Sequence, residues 1–234
     1  MFFSTSYLIY MLPAFLLVML AQWYVNSTYK KWSQVPNYMG MTGQEAARRL
    51  INYGGLSGVQ IDSVRSRLGD HYDPRDKVLR LSPGVAQGQS IAAIAVAAHE
   101  IGHAMQDKLD YTPLRLRAAL VPAVNIGSSL GFIMIFLGLI LGGAFGTQIA
   151  WLGVGAFGLG AVFALATLPV ELNASSRARK LLADTGIIHT DEERNGVHAV
   201  LRAAAFTYVA ALAAAVLQLL YWAMVVGGGG RRRR

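Results

Sequence analysis

Four stretches of this sequence are too long and too apolar to be packed inside a small water-soluble domain. They run from Tyr7 to Val25 ("YLIYMLPAFLLVMLAQWYV"), from about Ala119 to Gly143, from Ile149 to Pro169, and from roughly Ala204 to Val226. A helix needs about 20 apolar residues to cross the hydrocarbon core of a bilayer, and each stretch is long enough. A lipid bilayer is therefore the first partner that the sequence implies. Backbone in lipid must satisfy its own hydrogen bonds, so the expected fold is a mainly α membrane protein with about four transmembrane helices. Composition agrees: 54% of the 234 residues are hydrophobic and only 15% are charged, against roughly 25% charged in soluble domains. The first stretch has no basic segment before it and no small-residue cleavage site after it, so it reads as a retained helix and not a secretory signal.

The charges divide the rest. Twelve of the 21 Lys and Arg lie between Lys30 and Arg117, five between Arg177 and Arg202, and four form Arg231 to Arg234. The positive-inside rule then puts residues 30–118 and 171–203 in the cytoplasm, with the N-terminus and the hairpin tip "AFGTQ" outside. The terminal arginines run against that rule. They follow Gly227 to Gly230, and 227–234 reads as a low-complexity Gly/Arg tail; without it the net charge falls from +8 to +4. The remaining basic excess fits attraction to anionic lipid. No face interleaves aromatic and basic residues, so no nucleic-acid partner is expected. There is no cysteine, which excludes disulfides and thiolate metal ligands.

The expected organisation is an N-terminal transmembrane helix (1–29), a polar segment (30–118), a transmembrane hairpin (119–170), a second polar helical segment (171–203) and a C-terminal transmembrane helix (204–226). In the first polar segment Thr42 and Glu45 spell a capping box. Ala46, Leu50 and Ile51 give the helix that follows an apolar face, and Gly54-Gly55 ends it. "VQIDSV" and "VLRLS" alternate as strands do, so 59–82 reads as a small antiparallel sheet, with "DHYDPRDK" as turn chemistry between them. "SIAAIAVAAHEIGHAMQD" then predicts an alanine-rich helix capped by Ser90.

That helix carries the chemistry. His99 and His103 are four residues apart and share a face, a spacing that lets two imidazoles ligate one zinc while Glu100 reaches a water activated by the metal. Zinc takes a third protein ligand and keeps its fourth position open. The candidates that follow are Glu171, Asp184, His189, Asp191, Glu192, Glu193 and His198. Glu171 stands out because it lies just past an apolar stretch, where an ionisable group needs a partner. His189 and Asp191 to Glu193 read as a solvated face. His71, Tyr72, Arg177 and Tyr208 are the polar or cationic groups that could serve oxyanion stabilisation.

The segments "DHYDPRDKVLRLSP", "SIAAIAVAAHEIGHAMQ", "LVPAVNIGSSLG" and "LPVELNASSRARKLL" resemble the YugP-type neutral zinc metallopeptidases of bacteria, over nearly the whole chain. More distantly, the motif and a helical E-x-x-A after a hydrophobic hairpin resemble the gluzincin membrane peptidases related to HtpX and the CAAX prenyl endopeptidases. The resemblance implies a small zincin-like α+β domain on the cytoplasmic side of the bacterial cell membrane. It also implies one Zn2+ per chain on His99, His103 and Glu171, with Glu100 catalytic. Position 175 departs from the wider gluzincins: Ser175 stands where they have an aspartate that orients a zinc histidine.

The function expected is that of a membrane zinc endopeptidase acting on peptides or membrane proteins. A catalytically silent, zinc-stabilised scaffold or adaptor and a small transporter using Glu171 are the competing classes. An intact Glu100 argues against the scaffold, and a single ionisable side chain at the edge of a span argues against the transporter. The strand Val78, Leu79, Arg80 and Leu81 is expected to offer its edge to an extended substrate.

Overall fold

The computed structural model describes residues 5–64 and 69–229, so Arg231 to Arg234 lie outside the described residues. These residues form two compact units, one of residues 5–21, 115–168 and 207–229, the other of residues 22–64, 69–114 and 169–206.

The first unit is helical. It is built from parts of α1 (Thr5–Trp32), α5 (Thr112–Leu141), α6 (Gly143–Asp184) and α7 (Asp191–Gly229). All four helices are long and apolar enough to cross a membrane. Large apolar side chains such as Ile140, Phe145 and Leu152 stand exposed on them, as surfaces that face lipid do. Between α5 and α6 the packing relies on small residues: a Cβ on Gly131 would come within 2.7 Å of the Gly153 carbonyl oxygen, the close approach that membrane helices favour. Ile135, Ala150, Val154, Tyr221 and Trp222 form the interior of this unit. The turn between α5 and α6 differs from expectation. "AFGTQ" is the first part of α6, and the chain reverses at Gly142 and Gly143, with φ of +64° and +63°. Two adjacent glycines reach the left-handed region at no steric cost, so no longer loop is needed.

The second unit holds α2 (Gly43–Tyr53), β1 (Gln60–Ser63), β2 (His71–Asp73), β3 (Val78–Leu81), α3 (Pro83–Ala86) and α4 (Ile91–Lys108), with the polar parts of α6 and α7. Thr42 caps α2 and forms the expected capping box with Glu45, and Ala46, Leu50 and Ile51 are buried. Ser90 caps α4 by accepting from the Ala93 amide. Alanines and isoleucines on nearly every side of α4 are buried against α2, β3 and the polar part of α6.

Two expectations about the sheet are corrected. The order is β1-β3-β2, and β1 runs parallel to β3 while β2 runs antiparallel. A turn from Asp73 to Val78 folds β2 onto one side of β3, which leaves β1 the other side. The strand Val78, Leu79, Arg80 and Leu81 is therefore central and paired on both sides. It has no free edge to offer an extended peptide, and its Leu79 and Leu81 are core residues.

A third correction concerns the acidic run at the start of α7. Glu193 is not solvated: it is 2% exposed. Its carboxylate accepts from the backbone N–H groups of Tyr38, His189 and Thr190 at 2.9, 2.7 and 3.0 Å, and the Thr190 hydroxyl accepts from the Glu193 amide in return. This is a capping box with one long-range strap added, and T-x-x-E at 190–193 was its signal in the sequence. Burial pushes the Glu193 carboxyl up, but the three backbone donors outweigh it and hold the pKa below the ordinary carboxylate value. A depressed native pKa gives stability that is present above pH ~4.5 and lost as pH falls through the native value. Glu193→Ala is expected to cost about 2–4 kcal/mol at pH 7. In thermal unfolding of the detergent-solubilised protein, its deficit against the parent should shrink below pH ~4.5. Equal unfolding temperatures at pH 7 would show that the strap carries no stability.

Candidate metal centre

His99 and His103 leave α4 on one face, and Glu171 comes from α6, two residues after Pro169. The structure brings one donor atom from each of these three to within 4.8 Å of one another. Glu171 Oε2 lies 3.2 Å from His99 Nε2 and 3.4 Å from His103 Nε2. Four donors set tetrahedrally at 2.0–2.1 Å from a zinc ion are about 3.3 Å apart, so these two separations already match a zinc site. Among the described residues this trio is the one such group. Of the other third-ligand candidates, Glu193 is occupied as described above, and His198 and Asp191 are exposed.

The outer nitrogens of both histidines are held. His99 Nδ1 lies 3.1 Å from Ser175 Oγ, one turn beyond Glu171 on α6. His103 Nδ1 lies 3.0 Å from Gln106 Oε1. Gln106 is fully buried, and its amide nitrogen donates to the Val170 carbonyl at 2.7 Å and to Asn173 Oδ1 at 3.0 Å. Two acceptors take the two N–H groups of the amide, so its oxygen must face His103. His103 then carries its proton on Nδ1, and its Nε2 lone pair is turned toward Glu171. Such outer partners fix the tautomer of metal-binding histidines. The donor chemistry, two imidazoles and a carboxylate with one coordination position left open, fits zinc.

Close packing sets the spacing between the two ligand-bearing helices. A Cβ on Gly102 would stand 2.4 Å from the Ala174 carbonyl oxygen, so only glycine lets α4 approach α6 this closely. Ala174 itself sits between Glu171 and Ser175.

Glu100 is buried beside the trio, and its Oε2 accepts from the Tyr72 backbone N–H at 3.1 Å. Burial pushes the Glu100 carboxyl above its ordinary range, with His99 and His103 opposing the shift. A general base works best with a pKa near the operating pH, and the direction of this shift is toward it.

The remaining sequence candidates fall in different places. The Tyr72 hydroxyl donates to Asp107 at 2.7 Å, and His71 Nδ1 lies 2.7 Å from the Gly69 carbonyl oxygen. Arg177 Nε donates to Asn173 Oδ1, and its guanidinium lies over the Tyr111 ring. Tyr208 belongs to the other unit. Sequence reasoning missed Gln106, Asn173, Asp107 and the role of Gly102. Gln106 could have been flagged, because it follows His103 by three residues on an apolar helix where a polar side chain needs partners.

Comparisons with known proteins agree with this geometry. Residues 7–227 match the family model described as "Putative neutral zinc metallopeptidase". The chain is 46% identical over 191 residues to "Putative membrane protease YugP" of Bacillus subtilis (strain 168), covering 82% of this chain and 83% of that relative. No solved structure matches the chain.

Proposed function

The chain belongs to this family of neutral zinc metallopeptidases, and from that premise we propose that it is a membrane-embedded endopeptidase with Glu100 as its general base. The convergence of His99, His103 and Glu171 beside a buried Glu100 is the observation that carries this reading. His99, His103 and Glu171 would hold the zinc. The metal, when bound, supplies a Lewis acid that polarises the scissile carbonyl and lowers the pKa of water to about 7.

The rest of the work belongs to the chain. Gln106 and Ser175 hold the Nδ1 atoms of His103 and His99, which keeps both Nε2 lone pairs aimed inward. The Tyr72 amide fixes one oxygen of Glu100. Glu100 takes a proton from the attacking water and passes it to the nitrogen of the leaving strand, so that water adds across the amide bond. The carboxyl product keeps the water's oxygen, and the amine product leaves neutral.

The membrane limits access. Glu171 follows the third apolar stretch by two residues of one continuous helix, a rise of about 3 Å. The reading is therefore a site close to the lipid surface, on the cytoplasmic side that the Lys and Arg distribution favours. Its substrates are flexible stretches next to membrane spans in other proteins.

A single-span reporter with one unfolded segment on each side of the membrane tests activity, side and reach together. Co-expression should yield zinc-dependent cleavage of the cytoplasmic segment near the span. Cleavage confined to the outer segment would invert the topology. Equal cleavage of an untethered unfolded protein would remove the membrane from the account of specificity.

A further inference from the structure

Tyr72 touches α4 twice. Its backbone N–H donates to Glu100 and its hydroxyl donates to Asp107 Oδ2 at 2.7 Å. Glu100 and Asp107 are seven residues apart and so lie on one face of α4, about 10 Å apart along its axis. Within the sheet, β2 is short and lies at an edge, and its ends are tied to other parts of the sheet region. Asp70, just before it, accepts from the Ser82 amide and hydroxyl, and Asp73 pairs with Arg80 of β3. Neither tie reaches α4. The bond from the Tyr72 hydroxyl to Asp107 fastens this strand, side chain to side chain, to the helix carrying Glu100.

We propose that the Tyr72 hydroxyl and Asp107 form a latch that seats β2 against α4, so that the Tyr72 amide positions the Glu100 carboxylate for proton transfer. Tyr72 and Asp107 are positioning residues, and the catalytic consequence rests on the peptidase reading. With one oxygen of Glu100 held by the amide, the other is free to meet the attacking water. Without the latch the strand keeps its place in the sheet but loses its register on α4. The carboxylate then samples orientations that do not react, a loss that falls on the chemical step and not on binding. A cavity of about 310 Å3 lined by Tyr72, Ala104, Asp107 and Lys108 adjoins the bond. Water can therefore reach Asp107 when the hydroxyl is removed, and Tyr72→Phe leaves no stranded buried charge.

The test uses the full chain in detergent with a single-span peptide whose unfolded segment next to the span carries a quenched fluorophore. It compares Tyr72→Phe, Asp107→Ala, the double variant and Asp107→Asn. The first two should each speed hydrogen exchange of the residue 72 amide and lower kcat about tenfold, the loss of one charge-assisted hydrogen bond, with KM and zinc content unchanged. The double variant should be no slower than either single one, because both break the same bond. Asp107→Asn keeps an oxygen that can accept from the hydroxyl and should keep both exchange and kcat near the parent. Unchanged exchange in Tyr72→Phe and Asp107→Ala, or losses in kcat that multiply in the double variant, would overturn the latch. Exchange reads the bond without any cleavage, so a parent that cuts no peptide counts against the peptidase reading while the latch is judged on exchange alone.

Discussion

Glu100→Gln is expected to slow peptide cleavage about a thousandfold while zinc stays bound, since general-base catalysis is worth 10²–10⁴ in rate. Glutamine has the shape of glutamate and keeps an oxygen that can accept from the Tyr72 amide. It fits the same buried position, and a neutral amide is cheaper to bury than a carboxylate. What it cannot do is accept and return a proton. None of the three donors His99, His103 and Glu171 is changed, so metal content should match the parent. A purified variant that cleaves at the parent's rate would remove Glu100 from the chemistry. A parent as inactive as Glu100→Gln, with full zinc in both, would favour the silent scaffold.

Gly102→Ala should be nearly as damaging by a different route. The added methyl would lie 2.4 Å from the Ala174 carbonyl oxygen and 3.0 to 3.1 Å from its backbone carbons. Backbone cannot swing aside as a flexible side chain can, so α4 and the polar part of α6 must part. Overpacking of this kind costs about 1–3 kcal/mol or more. The displacement also carries Glu171 and Ser175 away from the two histidines, so zinc affinity should fall at least about tenfold. Gly155→Ala is the control, because a Cβ there meets nothing within 4 Å. It should leave zinc affinity as it is. Chelator competition measures both variants, and parent-like affinity in Gly102→Ala would mean that the helix spacing does not set the site.

Much of this was legible in the sequence because it depends on local pattern. The four apolar stretches appear as four long helices, and the capping box at Thr42 and Glu45 is present as spelled. The α4 helix with His99 and His103 on one face follows from alanine content, the Ser90 cap and a spacing of four. What could not be read depends on contacts between distant residues. Alternation in "VQIDSV" marks a strand but says nothing of its direction, and β1 proved parallel. The same alternation cannot tell an edge strand from a central one, which is why β3 was misjudged as a docking edge. Glu193 looked like one of three exposed acids because its strap comes from Tyr38, 155 residues away. Gln106 stands out as a polar residue on an apolar helix, but its partners Val170 and Asn173 lie 64 and 67 residues away and cannot be read from the local pattern.

Zinc content of the purified chain tests the metal centre most directly. Elemental analysis after gel filtration should find about one zinc per parent chain, as three protein donors and one open position require. Glu171→Ala should carry almost none, because the two histidines alone hold the ion weakly, while Glu100→Gln should match the parent. A Glu171→Ala protein that retains a full equivalent of zinc would contradict the assignment of His99, His103 and Glu171 as the metal centre.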